Sequence, residues 1–143
     1  MTAILRDKPF DPWQELTRTE AGLDTGKYGA CASFVGTMRD FNLGDNVHSM
    51  TLEHYPEMTQ QFLEGICSEA SQRWNLIHCL IIHRHGEIAP GDPIVLTAAW
   101  SAHRAEAFEA CRFLIEELKA RAPFWKKETT DAGNRWVHDS ADD

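Results

Sequence analysis

Residues 76–100 read LIHCLIIHRHGEIAPGDPIVLTAAW. The runs 76–85 and 94–100 are β-prone and predict two strands, with Pro90-Gly91-Asp92 between them as a strong turn signal. Working outward, Ser101 is the expected cap of a long helix to about residue 121, which Pro123 stops. Beyond it, FWKKETT (124–130) and NRWVH (134–138) flank Asp131-Ala132-Gly133 and read as a hairpin. Upstream, Pro56 opens a helix in which Met58, Phe62, Ile66, Ala70 and Trp74 recur every four residues as an apolar stripe. Residues 47–55 predict a strand with Met50 and Leu52 on one face and Thr51 and Glu53 on the other. YGACASFVGT (28–37) suits a packed strand with a close neighbour, and MRDFNLGDN (38–46) a polar loop. Asp11 and Pro12 cap and open a short helix over 11–19. Strands and helices are mixed without regular βαβα alternation, and neither G-x-G-x-x-G nor a P-loop occurs, so the expected class is α+β.

A chain of 143 residues, 43% hydrophobic and 25% charged, has an ordinary soluble composition and predicts a single domain over 1–143. No apolar run approaches the roughly 20 residues of a membrane helix, and MTAILRDKPFDPW lacks the apolar core of a signal peptide. The expected location is therefore cytoplasmic. Cys31, Cys67, Cys79 and Cys111 are widely spaced without a C-x-x-C pair, and read as reduced core residues. A pI near 5.3 argues against general nucleic-acid binding, which needs a broad basic face.

Against a net charge of -8, the segment LKARAPFWKKE (118–128) holds four of the 14 basic residues. On the helix before it, Arg104, Phe108, Cys111, Ile115, Lys119 and Ala122 fall on one stripe, so two cations share an otherwise apolar face. Either both snorkel to water past the stripe ends, or they serve an anion. His103 and Arg104 stand in the first turn, where the dipole disfavours cations but free backbone N–H groups cradle anions. From Arg104 to Lys119 is 119 − 104 = 15 residues, or roughly 22 Å at 1.5 Å per residue, too far for one small substrate. If both ends serve one site, a second copy of the chain must supply one of them, and Phe113 is a candidate for the interface. Strand alternation sends Lys126 and Lys127 to opposite faces, so only one of them reaches a pocket. Lysine beside another cation loses proton affinity and is the best candidate for chemistry.

Other constellations are weaker. His83 and His85 share a predicted strand face, but two ligands fall short of a zinc site, and no metal is expected. Glu53-His54-Tyr55 reads as acid-base chemistry or, more simply, as a polar strand edge. Arg39 is either solvated or a mobile anion clamp. Trp74, Trp100, Trp125 and Trp136 read as core or interface aromatics. No Ser-His-Asp order or nucleophile elbow appears.

FVGTMRDFNLGDNV (34–47), LEHYPEMT (52–59), HRHGEIAPGD (83–92), SAHRAEAFEA (101–110), LKARAPFWKKE (118–128) and RWV (135–137) follow in order. Together they resemble the large, catalytic subunit of molybdopterin synthase, the MoaE family. The resemblance implies an α/β hammerhead-type fold with an additional small antiparallel sheet. It implies a homodimer that binds a small ubiquitin-like sulfur-carrier subunit at each end, giving a heterotetramer. The implied reaction is a sulfurtransferase reaction: sulfur passes from a thiocarboxylate on the carrier's Gly-Gly C-terminus to cyclic pyranopterin monophosphate. That builds the dithiolene of molybdopterin and needs no cofactor beyond the carrier. By position, Lys119 and Lys126 match the family's catalytic lysines, and Arg39, His103 and Arg104 its anion and substrate contacts. Phe34 and Ile115 match the pocket lining, and the His-Arg pair would come from the opposite subunit. Where the family often has an arginine after RWV, this chain has Ser140, with Arg135 or His138 as candidate replacements. The rival reading is a non-catalytic dimeric module that binds a partner's C-terminal tail.

Overall fold

The computed structural model describes residues 1–137. In chain order its elements are β1 (Thr2–Arg6), α1 (Pro12–Ala21), β2 (Ala30–Thr37), β3 (Phe41–Asn42), β4 (Asp45–His54) and α2 (Pro56–Trp74). They continue with β5 (His78–Arg84), β6 (Gly86–Ile88), β7 (Pro93–Ser101), α3 (Arg104–Arg121), β8 (Phe124–Thr130) and β9 (Gly133–Val137). The chain is therefore mixed α+β, as its patterning predicts.

The two strands of the 76–100 stretch form the middle of a four-stranded sheet ordered β1-β5-β7-β2. β7 runs antiparallel to both β5 and β2, while β1 lies parallel to β5. Leu80, Ile81, Ile82, Leu96, Ala98 and Ala99 are all buried, because both faces of this sheet are covered and neither strand can alternate. On one face α2 and α3 bring Leu63, Ile66, Cys67, Leu114 and Leu118 against Cys79, Ile81 and Val95. On the other, Phe10 and Leu16 of the α1 region meet Leu80, Ile82, Leu96 and Trp100. Each such aliphatic side chain contributes about 1.5–3 kcal/mol by leaving water.

A second, antiparallel sheet is ordered β3-β4-β8-β9, with β6 also pairing to β4. Its inner face carries Val47, Met50, Leu52 and Ile88 around Met38, and Ile94 at the start of β7 joins this cluster to the main core. Met50 and Leu52 point inward as the alternation predicts.

Several boundaries and faces differ from expectation. β1, β3 and β6 have no counterpart in the sequence reading. The expected loop 38–46 is largely a tight hairpin: Leu43 and Gly44 between β3 and β4 both take positive φ, 52° and 83°, the conformation of a two-residue turn that matches strand twist. In α2 the buried residues are Thr59, Leu63, Ile66, Cys67 and Ala70, while Met58 is 54% exposed. A strict spacing of four advances about 40° per step, so a five-residue row drifts off the face. Ser101 belongs to β7; the cap of α3 is His103, whose backbone N–H reaches Ser101 Oγ at 3.4 Å. At α1 the cap is as expected: Asp11 accepts from the N–H groups of Trp13 and Gln14. Cys67, Cys79 and Cys111 are free and buried, whereas Cys31 is exposed, because β2 is an edge strand with one face uncovered there.

Candidate active site

Pro123 forces Ala122 out of the helical region, to φ -64° and ψ 135°, which ends α3 and turns the chain into β8. The last turns of α3 therefore stand where the two sheets meet. There the structure leaves a cavity of about 280 Å³. Met50 and Leu52 of β4 with Ile94 and Val95 of β7 form an apolar floor. Gly36 lines it as well, and a Cβ there would sit 2.9 Å from Val95 Cγ1, so glycine keeps the floor open.

Five of the seven candidate site residues line this cavity: Phe34 from β2, Arg39 just after it, Ile115 and Lys119 from α3, and Lys126 from β8. The Arg39 guanidinium lies 5.0 Å from the centre of the Phe41 ring, a cation–π contact that holds it near the mouth. Lys126 and Lys127 separate as alternation requires: Lys127 lies 5.7 Å over the Trp136 ring and does not line the cavity.

His103 and Arg104 lie outside it, exposed at the opposite end of α3. Gly29 shapes that end: a Cβ there would meet the Ala102 carbonyl oxygen at 2.4 Å, so only glycine lets β2 begin so close to the turn carrying His103. The stripe of cations and apolar residues is not the buried face of α3. Ala107, Ala110, Cys111, Leu114 and Leu118 are buried and Phe108 is 66% exposed, so the packed face lies roughly 80° round the wheel. The stripe is a flank of the helix, and the desolvation argument for Arg104 does not hold within one chain. Within its own chain Phe113 packs on Trp74, the ring centres 5.3 Å apart.

Two features of the site escaped sequence reasoning. Glu128, two residues after Lys126 on the same face of β8, is buried in the cavity wall. It accepts from Asn42 Nδ2 at 3.0 and 3.2 Å and from Arg135 Nε at 3.2 Å. Arg135 also donates to Asp45 at 2.7 Å and to the Asn42 carbonyl at 2.9 Å, so it clamps β9, β8 and the β3–β4 hairpin together. It is thus engaged in its own chain; Ser140 and His138 lie outside the described residues. The i, i+2 spacing of Lys126 and Glu128 was the available signal.

The second feature is His83. Its ring is buried in the cavity wall, stacks on Phe124 at 4.1 Å and places Nδ1 2.8 Å from the Arg84 carbonyl oxygen. His85 turns instead to His54, 4.4 Å between ring centres. Among the described residues no group of three or more His, Cys, Asp or Glu side chains is arranged to hold a metal ion.

The chain and its fold resemble those of known proteins. A curated molybdopterin synthase catalytic subunit from Ralstonia nicotianae is 50% identical over 136 residues, covering 95% of this chain and 76% of its own. The solved molybdopterin biosynthesis MoaE protein from Burkholderia ambifaria superposes with a TM-score of 0.82 at 44% identity, covering 99% of this chain and 92% of its own. The fold also matches a protein–protein complex of subunits 1 and 2 of molybdopterin-converting factor from Helicobacter pylori, with a TM-score of 0.81 at 20% identity over 96% of this chain and 91% of that one. The family model described as MoaE protein matches residues 5–121, and with these relatives it establishes that the chain belongs to the MoaE family.

Proposed function

We propose that this protein is the catalytic subunit of a molybdopterin synthase. It moves sulfur from the C-terminal thiocarboxylate of a small ubiquitin-like carrier to cyclic pyranopterin monophosphate. The observation that carries this reading is the gathering of Arg39, Lys119 and Lys126 around one cavity with Phe34 and Ile115, in a chain of net charge -8. Both reactants are anions. Cations fixed beside apolar walls attract such anions more strongly than the same cations in bulk water, and they need no reorganisation as charge moves.

The forked donors of Arg39 suit the cyclic phosphate. Lys119 orients the thiocarboxylate carbon and assists proton transfer, and Lys126 completes the positive wall. His103 and Arg104 complete the site from a second copy of the chain, since the far end of one α3 is out of reach of its own cavity. The carrier enters with its Gly-Gly tail and supplies the sulfur, so the enzyme needs no resident cofactor or metal. The assembly works in the cytoplasm as a dimer with a carrier at each end. No described helix is long and apolar enough to cross a membrane.

The test is conversion of the cyclic pterin by purified protein and thiocarboxylated carrier, with product identified by mass spectrometry. Wild type gives the dithiolene product and Lys119→Ala does not. Near wild-type conversion by Lys119→Ala removes the assignment of Lys119, while carrier binding without product from a competent donor supports a docking module.

A further inference from the structure

His83 has no role in the reading above, yet it stands in the wall of the same cavity as Lys119. It is 8% exposed, and the Phe124 ring lies against it with 19° between planes. The Arg84 carbonyl at 2.8 Å from Nδ1 can only accept, so Nδ1 carries the hydrogen and Nε2 of the neutral ring is an acceptor. Backbone and Phe124 together fix both the plane of the ring and its tautomer.

The surroundings keep the ring neutral. Burial is the largest cause, the charges of Lys119, His54 and His85 act in the same direction, and the pKa is pushed down to about 4 despite the bond to Arg84. Lys119 approaches from α3, His54 from β4 and His85 from the end of β5, while Lys126 and Glu128 of β8 and Arg39 line the same cavity. From β1 and β7 the register neighbours are Leu5 and Val95, neither of which titrates.

We infer that His83 is a positioning residue for Lys119, a fixed and uncharged imidazole acceptor that holds the lysine ammonium toward the reacting groups. The inference rests on the sulfur-transfer reading. A lysine has a flexible four-carbon stem and three rotatable donors, and an acceptor in the cavity wall removes part of that freedom. A protonated ring would repel the ammonium it should hold.

The experiment compares wild type, His83→Gln and His83→Phe in the reconstituted reaction. Glutamine offers a neutral acceptor near the place of Nε2, and phenylalanine keeps the stacking ring without one. His83→Gln should keep kcat within about 3-fold at neutral pH, and His83→Phe should lose about 10-fold or more with KM for the carrier little changed. Wild-type kcat should fall on an acid limb that is absent in His83→Gln. Nitrogen-15 NMR of wild type should show the neutral Nδ1–H tautomer at pH 6, and the Lys119 ammonium signal should shift in both variants. Wild-type kcat in His83→Phe, equal losses in the two variants, an acid limb unchanged in His83→Gln, or an Nε2–H tautomer would each overturn the inference. Should His83→Phe not fold, His83→Gln and the NMR of wild type still decide it. Should wild type make no product with a competent donor, the sulfur-transfer reading fails, and the tautomer and lysine signals separately judge His83.

Discussion

The two ends of α3 carry cations in opposite settings. At the C-terminal end Lys119 joins Arg39 and Lys126 around a cavity floored by both sheets, and a buried imidazole stands in the same wall. At the N-terminal end His103 and Arg104 are exposed, outside that cavity, and the His103 side chain makes no capping hydrogen bond. One end is a built pocket, and the other sets the Arg104 guanidinium, exposed, against the helix dipole. In the proposed dimer the exposed end supplies the missing wall of another copy's cavity, so that a residue's use need not lie in the chain that folds it.

The largest expected effect tests the built end. Lys119→Ala should lower kcat about 100- to 1000-fold, the scale of removing one preorganised electrostatic donor, measured as pterin converted per enzyme at saturating carrier. Next comes the acid response of the cavity wall. His83 takes its proton near pH 6.5 when unfolded but only near 4 when folded, so between these values the unfolded chain holds more protons. Its contribution is fully present above pH 6.5 and falls away toward pH 4, on the order of 3 kcal/mol. His54, whose proton affinity is lowered mainly by desolvation, acts in the same direction. Urea melts of wild type at pH 7 and 4.5 should show this loss, and His83→Gln should flatten it.

Which of these features the sequence displayed follows from how local their causes are. Asp11 before Pro12, Pro123 after α3 and the alternation of Lys126 with Lys127 each act within a few residues, and each is found as read. β1 was invisible because its partner β5 begins 78 − 2 = 76 residues later, and half-buried TAILR announces no pairing of its own. The β3–β4 turn depends on Leu43 adopting positive φ, which no leucine advertises. In α3 the apolar stripe was real, but the neighbouring row of small residues, Ala107 and Ala110, lets the helix approach the sheet and becomes the packed face. The lysines of the site were legible as an anomaly of charge. Glu128 and His83 were not, because Glu128 finds Asn42 86 residues away, and His83 acquires its character from Phe124 and burial.

Smaller effects sharpen the exposed end. Arg104→Ala should reduce kcat/KM about 10- to 100-fold, the cost of a charge-assisted contact, while leaving the melting temperature unchanged. A loss of thermal stability in place of activity would make Arg104 structural. Smallest of all, Asp11→Ala should destabilise the protein by about 1 kcal/mol through its lost cap, whereas His103→Ala should change stability by less than about 0.5 kcal/mol. Equal costs would mean that the start of α3 is built for folding after all.

The claim that the two ends of α3 complete one site across two chains is tested by mixing Lys119→Ala with Arg104→Ala under conditions that exchange subunits. Each mixed dimer then holds one site with both an intact Lys119 and an intact Arg104. Random exchange should raise activity to about one quarter of wild type, above either variant alone. Activity that stays at the level of the separate variants, with exchange verified, would contradict the account.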